Sequence, residues 1–421
     1  MSTRVLKTSL AIAIATASSQ LMASGFAINE QSVSNMGTAF AGRSSSADDA
    51  TTVFGNPAGM ARLKREQVSL GAAAIYARTD IDDASSTFGG SNDGDMVPFI
   101  AAPMGYYVKP LDDNWAVGFG MYVPFGLVTD YERGFAGRYY GDRSEVRVIT
   151  LQPTISYRFN DQLSIGFGPT INRIDGELTS STLNAATPGS NDGKVKIKGD
   201  DTALGYNVGV LFELTPQTRF GLTYHSMVDY KLEGDTKIEG AGFGPFSGSS
   251  YDASLALKTP ESVDFSVTHA LNEDWTVYAG STWTRWSRLE EIRVNNSGVP
   301  GPLAPSLGAI VEEQNWHDTW AHAVGAAYQL NKQWVLRAGL AVDQSPTNNV
   351  DRSPRIPTGD RTIVSFGAAW SPDDDMTIDL AYSYLMEEDT EINHVSASRG
   401  AYSSTYKNSA HGLGAQVTYR F

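Results

Sequence analysis

A period-two alternation of side chains, interrupted by connections of two unequal kinds, restricts this chain more than any other feature. In the run Trp115-Ala116-Val117-Gly118-Phe119-Gly120-Met121-Tyr122-Val123 the odd positions are large and apolar and the even ones are small or Tyr. Successive side chains of a strand point to opposite faces, so one face here is greasy and the other thin. Similar alternation occupies 163–171, 208–214, 220–224, 275–283, 334–342, 363–370 and 376–384. Tight polar turns flank these runs at 111–114, 160–162, 215–218, 272–274, 331–333 and 372–375. Much longer Gly/Ser/Asp-rich connections lie between them, around 86–94, 180–201, 234–251, 295–314 and 345–361. Short turns alternating with long loops describe a transmembrane β-barrel, with the turns on the periplasmic side and the loops outside. Six short turns and seven long loops predict an all-β, antiparallel barrel of about fourteen strands, an even number as single-chain bacterial barrels have.

The N-terminus agrees with export. Arg4 and Lys7 precede the apolar run Leu10-Ala11-Ile12-Ala13-Ile14-Ala15, and small residues follow to Ala23-Ser24. That layout is a secretory signal, with cleavage expected after Ala23. Thr16, Ser18, Ser19 and Gln20 interrupt the run short of the ~20 apolar residues a membrane helix needs, and no later segment supplies them. A membrane location therefore requires strands. At the other end Leu413, Ala415, Val417, Tyr419 and Phe421 form one stripe, and a terminal Phe on such a strand resembles the address read by the outer-membrane assembly machinery.

Composition closes off other classes. The chain has no cysteine, which removes disulfides and thiolate metal sites. Its formal charge of -15 leaves no basic surplus for nucleic acid. The acidity gathers in 80–83 and 373–375, which read as solvated loop tips. None of the six histidines sits in a Gly-x-Ser-x-Gly or His-Glu-x-x-His motif, so no catalytic residue, metal or cofactor is expected. The stretch 24–65 does not alternate and is too long for a tail. A barrel of this size has a lumen that must be filled or conduct water, and residues 24–65 are read as a hatch within a barrel spanning 66–421.

At this point the chain resembles the outer-membrane long-chain fatty acid transporters, the FadL-type channels. The likeness starts at Ser24-Gly25-Phe26-Ala27-Ile28-Asn29-Glu30-Gln31-Ser32 and runs through Ala47-Asp48-Asp49-Ala50 and Asn56-Pro57-Ala58-Gly59-Met60. It returns in Pro124-Phe125-Gly126-Leu127, Gly137-Arg138-Tyr139, Leu222 to Ser226, Trp286-Ser287, Asp343 to Pro346, and Ile356-Pro357 with Asp360-Arg361. The resemblance implies a fourteen-stranded barrel occluded by a hatch. Hydrophobic ligands would be captured at the loops, passed to an apolar pocket beside the hatch N-terminus, and released sideways at a kinked third strand.

Carried over residue by residue, it makes Ser24, Gly25, Phe26, Asn56, Pro57 and Ala58 the hatch residues that bind or gate, and Gly118, Gly120 and Pro124 the lateral opening. Proline lacks a ladder donor and glycine permits a bulge, so a gap is easy to form there. A fatty acid also needs a cation for its carboxylate, and Arg138, His317 and Arg361 stand near predicted loop bases. The third loop, about 176–205, looks shorter than the family's helical insertion. Long-chain fatty acids and monoaromatic hydrocarbons both require an apolar path and both remain open as substrates. The remaining expected surroundings are outer-membrane lipid and lipopolysaccharide, and the expected state is a monomer.

Overall fold

The computed structural model describes residues 25–184 and 186–421; the expected signal segment and Ser24 lie outside them. Nineteen strands form one continuous sheet. Fourteen of them make the barrel: β1 (Gln67–Ser86), β2 (Ile100–Pro110), β3 (Trp115–Asp130), β4 (Arg143–Arg158), β5 (Leu163–Thr182), β6 (Gly193–Glu213), β7 (Thr218–His225), β10 (Ser262–Ala270), β11 (Trp275–Thr284), β14 (Thr319–Gln329), β15 (Trp334–Asp343), β16 (Arg361–Trp370), β17 (Met376–Glu387) and β19 (Gly400–Arg420). β19 returns to pair with β1 from Gln67↔Arg420 up to Ser86↔Tyr402, and the wall closes.

The other five strands, β8 (Val228–Glu239), β9 (Ser250–Thr259), β12 (Glu291–Ser297), β13 (Ala309–Glu313) and β18 (Thr390–Ser396), extend the sheet on the loop side. Much of what reads as loop in the sequence is therefore strand: β5 and β6 pair to Thr182↔Gly193, and Asp80–Asp83 belongs to β1. Above the membrane the outward members of the alternation are charged, as in Lys194-Val195-Lys196-Ile197-Lys198 with Val195 buried, so the segment lacks the outward apolar stripe of a membrane strand.

All six short turns are present, and aromatic residues crowd beside them. Trp115 packs on Tyr157 at 4.6 Å, Trp275 on Tyr328 at 4.8 Å and Trp334 on Trp370 at 6.2 Å. These rings make one girdle of a membrane barrel, and the exposed Leu151, Ile155, Phe167, Ile171 and Leu340 form the lipid-facing band between.

Residues 25–66 fill the lumen. Two short helices, α1 (Val33–Met36) and α2 (Thr52–Gly55), and a 3-10 turn (Pro57–Arg62) bury Val33, Met36, Val53 and Met60 against Ala73, Tyr106, Val108 and Tyr122 of the wall. The hatch presses on the strands so closely that several wall positions must lack a side chain. A Cβ on Gly221 would run into the Ser44 carbonyl, on Gly339 into Thr38, on Gly209 into Asn56 and on Gly166 into Pro57. Polar bonds complete the docking, for example Ser44 Oγ to the Gly221 carbonyl at 3.1 Å and Gln152 Nε2 to the Val53 carbonyl at 2.8 Å.

Gly221→Val should accordingly cost about 1–3 kcal/mol, as overpacking does. The thermal midpoint of the purified barrel should fall and cells should gain sensitivity to large antibiotics as the hatch loosens. No change in either would show that the hatch does not press on the wall there.

Candidate functional site

Two irregularities in the wall define the site. The first is at β3. β2 pairs with β1 up to Ile75↔Ile100 but with β3 only from Pro110↔Ala116 to Gly105↔Met121. Beyond Met121 the two strands separate, and a bulge at Val123–Pro124 shifts β3 against β4 between Tyr122↔Thr150 and Phe125↔Val148. Counting by twos places Val123 on the outer stripe with Phe119 and Met121, yet it is only 2% exposed, because the bulge turns the strand inward.

The edge freed in this way is taken up by the hatch. Ile28 N donates to the Pro124 carbonyl at 2.8 Å and Gly126 N to the Phe26 carbonyl at 2.9 Å, with Ala27 bridged to Phe125. Gln31 spans the gap: its Nε2 donates to the Val123 carbonyl at 2.6 Å and its own carbonyl accepts from Tyr106 Oη at 2.9 Å. Ile28, Ala102 and Val123 pack together as the stopper. Above, Asp130 N bonds the Met96 carbonyl at 2.8 Å and closes the top of the gap.

The second irregularity is a line of breaks. β7 and β8, β9 and β10, β11 and β12, and β13 and β14 are each interrupted at one level, because His225, Ser262, Thr284 and Thr319 are consecutive partners across the ladder. From these breaks Trp286 and Trp316 turn into the lumen and meet Phe26 with ring centroids 4.9 and 6.0 Å away; Phe125 adds a contact at 5.7 Å. Gly25 lies between the two indoles at φ +65°, where a Cβ would strike both rings. Only glycine serves there, being free of Cβ and tolerant of positive φ.

Phe26 floors a pocket with an empty volume of about 820 Å³. Leu127, Ile174, Leu232, Leu257, Leu289 and Ile356 give it an apolar wall. Two cations reach it. Lys198 is held by Glu177 at 2.9 Å. Arg355 is buried, with Nε on Glu312 at 2.9 Å and Nη1 on Ser144 Oγ at 3.0 Å, while Nη2 takes no part in these bonds. A wider groove of about 1380 Å³ among the outer strands shares Ile197, Ile292 and Arg355 with the pocket and leads into it.

The residues singled out from the sequence separate into two groups. Gly25, Phe26 and Pro124 come together at the pocket floor and the gap. Gly118 and Gly120 do not form the gap: they stand in regular register with Val108 and Tyr106, and a Cβ on either would meet Val53, with Met60 also in the way at Gly118. Asn56, Pro57 and Ala58 line neither cavity. Asn56 instead anchors the hatch, with Nδ2 on the Ser44 and Val210 carbonyls at 2.7 and 2.9 Å and Oδ1 capping Ala58 N at 3.0 Å.

Among the three candidate cations, Arg138 joins loops by contacting Asp192 at 3.0 Å and the Gly89 carbonyl at 3.0 Å. His317 is exposed away from the pocket and uses its backbone N on the Pro346 carbonyl. Arg361 is 3% exposed and pairs with Glu387 at 2.8 Å. Arg355 escaped the sequence reading because it stands within a polar loop, one residue before the Ile356-Pro357 match. Trp286 and Trp316 were not assigned to the pocket; the signal that could have found them is an aromatic placed where alternation stops.

A closed barrel in lipid, filled by its own N-terminal segment and holding an apolar pocket at that segment's tip, is an outer-membrane transport barrel for hydrophobic compounds. The chain belongs to the family described as outer membrane protein transport protein (OMPP1/FadL/TodX), whose family model matches residues 14–421. It is 29% identical over 449 residues to the long-chain fatty acid transport protein of Escherichia coli O6:H1, covering 99% of this chain and 98% of that one. Outer membrane protein P1 of Haemophilus influenzae is 28% identical over 429 residues, with 92% and 91% covered. Among solved structures, a Pseudomonas aeruginosa FadL homologue superposes with a TM-score of 0.86 at 25% identity, over 94% of this chain and all of that one. The Pseudomonas putida toluene transporter TodX shares the fold, with a TM-score of 0.66 at 20% identity over 94% and 98% of the two chains.

Arg361→Gln should behave as the loss of a structural pair. It strands Glu387, at a cost of about 3–5 kcal/mol, so the unfolding midpoint should fall while ligand affinity stays unchanged. Lost affinity at an unaltered midpoint would instead return Arg361 to the ligand site.

Proposed function

We propose that this chain is a passive channel for long-chain fatty acids. The observation that carries the reading is the apolar pocket floored by Phe26 with a single-sided cation, Arg355, on its wall. Burying an acyl chain gains about 0.8 kcal/mol per CH₂, and the Nη2 edge of Arg355, outside its bonds to Glu312 and Ser144, donates to the carboxylate. The relatives named as fatty acid transporters support the same substrate.

In this reading the outer groove captures the ligand and hands it to the pocket along their shared wall. A bound chain competes with Phe26 for the indole cage. Once Phe26 moves, Phe26 and Ile28 release the β3 edge, and the gap opens toward lipid. Sideways exit suits the cargo, because an apolar chain leaving into the bilayer never crosses the polar lumen. Nothing in the route consumes energy, so net flux follows the downstream trapping of product. The second reading, a channel for monoaromatic hydrocarbons, uses the same cage and gap and has no task for Arg355.

Uptake of labelled oleate by cells lacking their own fatty acid channel is the test, together with binding by the purified barrel. Uptake should be restored, and Phe26→Ala should weaken it. Arg355→Gln should lower oleate affinity roughly ten-fold, the value of one charge-assisted hydrogen bond, and leave oleyl alcohol within about two-fold. A folded, heat-modifiable barrel that fails on oleate and admits toluene would replace the first reading with the second.

A further inference from the structure

Beneath the aromatic cage lies a second chamber, with an empty volume of about 920 Å³. Ala27 and Phe125, the bridged pair at the gap, form part of its wall. A ligand that displaces Phe26 from above enters this space before it reaches the bilayer. The lining changes character here. Thr150, Asn172, Asn207 and Thr282 present neutral hydrogen-bonding groups, and the hatch contributes Arg43.

Arg43 differs from the other arginines of residues 25–66. Arg62 is paired with Glu213 and Arg65 with Asp375. Among the described residues Arg43 has no carboxylate oxygen within 4.0 Å. Its Nη2 donates to Asn29 Oδ1 at 2.7 Å, and the guanidinium lies 5.2 Å from the Phe40 ring centroid. Glu30 is the nearby hatch acid. Burial pushes its carboxyl above the usual carboxylate range, against the pull of its own backbone N–H, Arg43 and Arg361, and its Oε2 has no hydrogen-bond partner. Glu30 therefore offers Arg43 poor compensation. A cation held inside a protein without a close counter-ion is stabilised by any anion that reaches it.

We infer that this chamber is a second binding station for an amphipathic carboxylate, with the head group on Arg43 beside Asn29 and the acyl chain along Ile28, Pro124 and Phe125 at the gap. The inference rests on the proposed function and adds an intermediate stop to it. Asp264, which accepts from Thr282 Oγ1 at 2.6 Å, and Asp343 also line the chamber. Their charge repels a carboxylate, which confines the head group to the Arg43 side and keeps its stay short. A transit site has to be favourable enough to enter and weak enough to leave.

The experiment is a calorimetric titration of the full barrel in lipid nanodiscs, with empty discs subtracted, using laurate and the uncharged dodecanol. The wild type should bind two laurates but one dodecanol. Arg43→Gln should keep the tighter laurate and weaken the other roughly ten-fold or more, as loss of a charge-assisted bond does. Arg43→Lys should keep both, which separates charge from hatch packing, and Arg355→Gln should weaken the tighter one. A single laurate on the wild type, or two with unchanged affinities on Arg43→Gln, overturns the inference. Oleate uptake decides the functional reading separately: uptake with one laurate site removes only the inner station, whereas absence of both uptake and laurate binding removes both.

Discussion

A wall in hydrocarbon has no water to complete its hydrogen bonds, so a strand that leaves its neighbour has to find another partner. β3 leaves β2 at Met121, and the partner it finds is the first stretch of the hatch, through Phe26, Ala27 and Ile28. The arrangement at the site follows from this substitution. The side chains of the same three residues floor the upper pocket, face the lower chamber and plug the gap. In the proposed route a ligand that pulls on Phe26 would act on the wall directly, through adjacent residues of one segment, with no distant relay.

The proposed coupling requires the rest of the hatch to stay fixed, and polar bonds hold it. Asn56 ties it to β6, Ser44 and Ser45 bond to β10, and Arg219 reaches the Ser45 and Ser46 carbonyls at 2.6 and 2.5 Å. Wall glycines let the backbone in to make these contacts. The tip differs in kind, held by two backbone bonds to a bulged edge and by ring contacts at 4.9 to 6.0 Å. Firm polar anchoring below and aromatic contact above divide the segment into a base and a more lightly held tip.

The barrel was legible in the sequence because lipid imposes the signal. A strand with hydrocarbon on one side and a packed lumen on the other must alternate, and a turn between two such strands must be short and polar, so β3, β11, β15 and β17 and all six turns could be located. Outside the membrane the constraint lapses. β8, β9, β12, β13 and the upper halves of β5 and β6 turn residues such as Leu232, Leu257 and Val294 inward but carry polar or charged residues outward, so the outward apolar stripe that marks a membrane strand is missing. The site was half legible for a related reason. Phe26, Gly25 and Pro124 announced themselves by chemistry that has few other uses, a glycine-aromatic tip and a proline in a strand. Arg138, His317 and Arg361 stand out by charge, and charge alone does not say whether a group faces the pocket: Arg355 lines it, and these three do not.

From residue order alone it follows that the chain alternates for a membrane wall, carries about fourteen such strands, and holds before them a segment that does not alternate. Period and turn spacing are local properties, set within a few residues, and need no knowledge of what lies across the lumen. It takes the folded barrel to show that Gly118 and Gly120 press on the hatch in regular register, that Trp286 and Trp316 close on Phe26, and that Arg355 and Arg43 face cavities on either side of that cage. Those facts depend on residues from remote parts of the chain arriving at one level of the barrel. Register between strands sets that level, and register is fixed by the closure of the whole sheet.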